Sequence, residues 1–166
     1  MKNKILLARP HPFIVSEMKP FLEQSGFSPL PIKDISELEG LASTSLSGAI
    51  ISLAVQSTID ESAEMVFKAI RKQFPYLQVA FAGMLDASMA SKAIKRVLPE
   101  SIGNYHVIAA DKNNERRVEL GQPSTFVYIR NSDLSMPDTV KIVALMLQRH
   151  FSGKRLQDEV KQFAAR

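Results

Sequence analysis

The chain of 166 residues has no cysteine and no tryptophan, and its aromatic content is 7%. Without thiols it has no disulfides, no zinc–cysteine centres and no thiol nucleophile, a usage that fits a reducing compartment. A metal site would need histidine and carboxylate, and the three histidines, His11, His106 and His150, lie far apart in sequence. Few aromatics leave few platforms for stacking nucleic-acid bases. The longest apolar run, Ile142 to Leu147, is far too short to cross a bilayer, and Met1-Lys-Asn-Lys leads into a strand-like segment with no signal-peptide cleavage pattern. A cytoplasmic location is the expectation. No G-x-G-x-x-G, Walker, G-x-S-x-G or H-E-x-x-H pattern occurs. The expectation is therefore a protein that is not an enzyme and has no catalytic, cofactor or metal site.

What is present is enough for one core: 45% of the residues are hydrophobic. Residues 1–75 carry eight Lys/Arg against eight Asp/Glu, whereas residues 76–166 carry thirteen against nine, so the net charge of +4 falls in the second half. Lys92, Lys95, Arg96, Arg116 and Arg117 stand out, and a basic face of this kind suits an acidic protein, nucleic acid or anionic lipid.

Short apolar runs alternate with helical patterns, as in an α/β domain with a mostly parallel sheet. Ile5 to Ala8 reads as a strand. Ile14, Met18, Phe21, Leu22 and Ser25 form one helical stripe that Gly26 ends, with Pro20 expected to bend it. Ser28 to Ile32 contains Pro29 and Pro31, which cannot donate to a ladder, so this strand belongs at a sheet edge. A short helix around Ile35 to Ala42 precedes Ala49 to Leu53, a run expected for a central strand buried on both faces. Thr58 with Glu61 predicts a capping box opening a helix through Val66, Phe67 and Ile70. Leu77 to Ala82 reads as a fourth strand, and Ala90, Ala93, Ile94 and Val97 stripe the next helix.

Beyond Pro99, Tyr105 to Ala110 and Arg116 to Leu120 flank Asp111 to Glu115 in the manner of a hairpin, and Thr125 to Arg130 is a third strand-like run. The last helix, through Phe151, is apolar on nearly every side between Ile142 and Leu147, so the sheet alone would not cover it. The hairpin or a second copy of the chain is the expected cover. Residues 1–152 are read as one domain with an insertion at about 100–123, and 153–166 as a helical tail or linker. No internal repeat is evident along the chain.

The opening stretch, Lys4-Ile-Leu-Leu-Ala-Arg-Pro-His-Pro, and the helix after it resemble a response-regulator receiver domain. The likeness covers about residues 3–98 well and 125–151 loosely. It implies a doubly wound α/β fold with a mostly parallel five-stranded sheet in the order 2-1-3-4-5, here with a β-hairpin inserted before the last strand and helix. It also implies where a phospho-pocket would lie. Arg9 and Pro10 fall at the acidic pair that binds magnesium, Ser52 at the phospho-accepting aspartate and Ala82 at the hydroxyl position. The lysine position is Arg130 if Thr125 to Arg130 is strand five, or Ile108 or Ala109 if Tyr105 to Ala110 is. Arg9 and Pro10 side chains supply no oxygen ligand, and Ser52 has no carboxylate to form an acyl phosphate.

The expected function is therefore a non-phosphorylatable, receiver-like protein-interaction module in signal transduction or transcriptional regulation. By the resemblance, partners meet the surface of the helix striped by Ile94, the fifth strand and the last helix. A protein partner or a homodimer is expected at the last helix and the insertion, with Val140, Ile142, Leu145 and Met146 as exposed apolar contacts. One rival is a basic nucleic-acid-binding surface. Another is a cobalamin- or other small-ligand-binding domain of flavodoxin-like topology, to which His11, Ser52-Leu53 and Ala82-Gly83 bear a partial likeness. In that reading Arg9 stands in place of the aspartate that orients the histidine, and Ile14 in place of a glycine.

Overall fold

In a computed structural model of the chain, residues 3–8, 12–41, 45–53 and 62–152 are described. The elements are β1 (Asn3–Ala8), α1 (Pro12–Gln24), β2 (Phe27–Ile32), β3 (Leu46–Ser52), α2 (Ala63–Gln73), β4 (Val79–Gly83), α3 (Ala87–Val97), β5 (His106–Ala109), β6 (Thr125–Arg130) and α4 (Pro137–Phe151). Short 3-10 segments join several of them. The six strands run in the order β2-β1-β3-β4-β6-β5 and every pairing is parallel.

Period-two alternation divides the core into two layers. Leu6, Ile51, Phe81, Phe126 and Tyr128 face α2 and α3, whereas Ile5, Ile50, Ala80, Val127 and Ile129 face α1 and α4. In the first layer the Phe67, Phe81 and Phe126 rings pack with centroids 5.6 to 6.3 Å apart. β3 is central and buried on both faces, and β2 is an edge strand, both as the sequence implies. The two prolines of β2 are two residues apart, so their missing donors fall on the same side of the strand, and an edge has one such side to spare. Gly26 ends α1 with φ +90°. Thr58 and Glu61 lie outside the described residues; α2 is capped at Ser62, whose Oγ accepts from the Met65 amide at 3.1 Å.

The predicted hairpin does not form. Tyr105 to Ala110 and Thr125 to Arg130 both supply strands, but they pair in parallel, and Arg116 to Leu120 is a turn. Two local contacts steer the chain off the sheet after Ala109. Asp111 Oδ1 accepts from the Asn113 amide at 2.9 Å and closes a 3-10 turn, and Arg117 grips Glu119 two residues on, at 3.1 and 2.9 Å. Residues 110–124 then cross back over the α1–α4 layer, where Leu120 packs. Thus β6 takes the place beside β4 and β5 becomes a sixth, edge strand. The inner place demands burial on two faces, which residues 125–129 satisfy; in β5 Ile108 alone is buried.

α4 shows the second correction. Val143, Met146, Leu147, His150 and Phe151 form its buried stripe, so Met146 is core and not surface. Val140 and Ile142 are half-buried against the same layer together with Leu120 and Leu134, and Leu145 is 52% exposed. The cover thus comes from the crossover and from the 3-10 segment Asn131–Ser135 of the same chain. The tail 153–166 lies outside the described residues.

Candidate functional site

Parallel strands bring their C-terminal ends to one edge of the sheet, where α/β domains place ligands. Three of the singled-out positions meet there. Ser52 stands opposite Ala82 in the β3–β4 register, Ala82 stands opposite Ile129, and Gly83 opposite Arg130. The Leu53 amide donates to Ala82 O at 2.8 Å and closes the strand pair. Ser52 is buried and Arg130 exposed. Because β6 borders β4, Arg130 ends the strand beside Ala82, whereas Ile108 and Ala109 lie one strand further out. Arg9, Pro10 and His11 lie outside the described residues.

The Tyr128 hydroxyl donates to Leu85 O at 2.6 Å, and burial pushes its pKa up to about 12. A Cβ on Gly83 would meet that hydroxyl at 3.3 Å, so the glycine that a cobalamin reading would use for close ligand approach is capped by Tyr128. Burial also raises the Asp133 carboxyl, against the pull of Arg130. Asn131, next to Arg130, is 5% exposed and its Oδ1 has no partner among the described residues. No motif marks it in the sequence, where it is simply the polar residue that follows β6. Among the described residues no group of three or more His, Asp or Glu is placed to hold a metal.

The basic residues do not form one patch. Lys92, Lys95 and Arg96 are exposed on α3, on one side of the sheet, while Arg116 and Arg117 belong to the crossover on the other. The Arg117–Glu119 pair holds Glu119 at about 2, chiefly through their hydrogen bonds.

The opposite end of the sheet is a buried polar clasp. His150 Nδ1 accepts from the Gly121 amide at 2.9 Å, which places the ring proton on Nε2, donating to Val79 O at 3.0 Å. Gln78 Nε2 donates to Gly121 O at 2.9 Å. Arg71 donates to Pro75 O, Leu77 O and Pro123 O at 2.8 to 3.1 Å. Burial lowers the His150 pKa to about 4. The crossover's return into β6 is thereby tied at Gly121 to α4 and to Gln78, just before β4, and at Pro123 to α2. His150 is thus a structural residue, whereas His106 is exposed on β5.

This strand order, with its helices on both faces, defines a receiver-like α/β fold, and solved structures agree. A response-regulator receiver domain protein from Clostridium thermocellum is similar over 93% of this chain and 98% of its own, with a TM-score of 0.56 and 18% identity. A sensor protein from Polaromonas sp. JS666 is similar over 92% and 98%, with a TM-score of 0.53 and 15% identity. At such identities the likeness is one of fold. No family model matches the sequence, and no curated protein does. No helix among the described residues is long and apolar enough to cross a membrane.

Proposed function

We propose that this chain is a receiver-like module that signals by docking a protein partner and neither accepts a phosphoryl group nor catalyses a reaction. The observation that carries it is the pairing of Ser52 with Ala82 at the C-terminal edge of β3 and β4, on a fold of receiver type. A hydroxyl and a methyl stand where the resemblance calls for a carboxylate and a hydroxyl. Neither supplies the carboxylate needed for an acyl phosphate. Incubation with acetyl phosphate and magnesium is expected to leave the intact mass unchanged; a stable adduct of one phosphate would overturn the reading.

Self-association through α4 forms part of the proposal in reduced form. Leu145 is its exposed centre, with Val140 and Ile142 as half-buried flanks. Leu145→Glu is expected to shift the mass seen in light scattering toward the monomer while leaving the circular dichroism intact. A wild-type chain that stays monomeric at all concentrations would remove the homodimer and leave a heterologous partner.

A further inference from the structure

The sheet separates the charges by face. Helices α2 and α3, on one side, carry six Lys/Arg against one carboxylate; α1 and α4, on the other, carry three against three. Two of the six are engaged: Arg71 by backbone carbonyls, and Lys68 by Glu64 at 3.0 Å. Lys72, Lys92, Lys95 and Arg96 are exposed with no ion-pair partner among the described residues.

The two helices also share a short repeated pattern, which corrects the reading of the chain as free of internal repeats. From Ala63 and from Ala87 each reads A-x-M-x-x-K-A-I followed by two cations. Ile70 and Ile94 face the core, so packing accounts for that match. Packing does not account for Met65 with Met89, Lys68 with Lys92, or Lys72 with Arg96, because these are exposed, the methionines by 54% and 48%. In each helix the three recur at i, i+3 and i+7, one row on one face. Each helix follows a strand of the parallel sheet and runs back beside the other, so the rows are aligned. Both methionines stand at the rim near the candidate site, and Lys72 and Arg96 at the far end.

We infer that the α2–α3 face is a docking surface for an acidic amphipathic helix of a partner protein. Its apolar end would seat on Met65 and Met89, and its carboxylates would run along Lys92, Lys72 and Arg96. Thioethers adapt to varied apolar side chains, and the aligned cations complement carboxylates one or two turns away. A phosphate backbone fits less well, since it would leave the methionine end unused and wants cations along its whole track. This rests on the reading of the chain as an interaction module and names a partner chemistry for it, on a face other than that of Leu145.

The test uses the whole chain, isotope-labelled, titrated with a blocked helical peptide that has leucines at one end and glutamates at every third or fourth position beyond. A scrambled peptide and a DNA duplex are the controls. Saturable amide shifts confined to α2 and α3 are expected. They should weaken on the order of tenfold in Lys92→Glu/Arg96→Glu, and measurably in Met65→Ser/Met89→Ser. All four sites are exposed, so the fold is expected to survive the changes, and circular dichroism of each variant checks it. No binding, equal binding of the scrambled peptide, or shifts elsewhere would overturn the inference. Preferential binding of DNA, indifferent to the methionine changes, would make the face a nucleic-acid surface instead. A phosphate adduct in the mass experiment would sink the degenerate-pocket reading without touching this one.

Discussion

Replacing His150 with alanine is expected to destabilise the fold by about 3–5 kcal/mol, because it opens a cavity and removes a hydrogen bond from each of two buried backbone groups. Those groups are the Gly121 amide and Val79 O, both bonded to the ring. His150→Gln, whose amide offers one acceptor and one donor, is expected to recover part of the loss. The histidine also sets a pH dependence. Its folded pKa of about 4 lies below the ordinary 6.5, so the unfolded chain binds the proton more readily. Its contribution is complete above about pH 6.5, falls by up to about 3 kcal/mol as the pH drops toward 4, and is level below that. Asp133, raised by burial, gives a slope of opposite sign. Urea titrations at several pH values, on wild type and His150→Gln, isolate the histidine's share; an equal pH slope in the two would refute the buried, neutral ring.

The second large effect is expected at Gly48, which is buried in β3 under the Phe151 ring. A Cβ there would lie 2.8 Å from the ring's Cγ and closer still to two other ring carbons. The ring cannot swing away cheaply, since it stands edge-on to Phe27 at 5.8 Å and closes the end of the α1–α4 layer. Gly48→Ala should cost about 1–3 kcal/mol through overpacking, and Gly48→Val more. Phe151→Leu in the Gly48→Ala background should be more stable than the sum of the single changes, with a coupling of about 1 kcal/mol in a double-mutant cycle. Strict additivity would show that ring and glycine do not share the space.

Both effects belong to residues whose weight was hard to read along the chain. His150 looks like an ordinary helix-end histidine until α4 is laid across β4, when its ring meets a backbone amide 29 positions away in sequence. Gly48 precedes an apolar run, and nothing local says that a ring will lie on it. The site was only partly legible. Ser52 and Ala82 could be placed from strand spacing because β3 and β4 are adjacent and in register. Arg130 stayed ambiguous because two runs competed for one place. Met146 was misjudged because, in a helix apolar all round, composition cannot tell which stripe faces the sheet.

Period and punctuation alone determined the α/β class, the course of α1 and α3, the double burial of β3 and the edge position of the proline-bearing β2. Each of these reports a local property: which side of an element is apolar, or where an amide is missing. Tertiary structure decided the exchange of β5 and β6, the clasp at His150 and the gathering of exposed cations on the α2–α3 face. Those outcomes depend on which strand best tolerates burial on two faces and on which helices the crossovers bring side by side, and such long-range competition leaves no periodic trace in the chain.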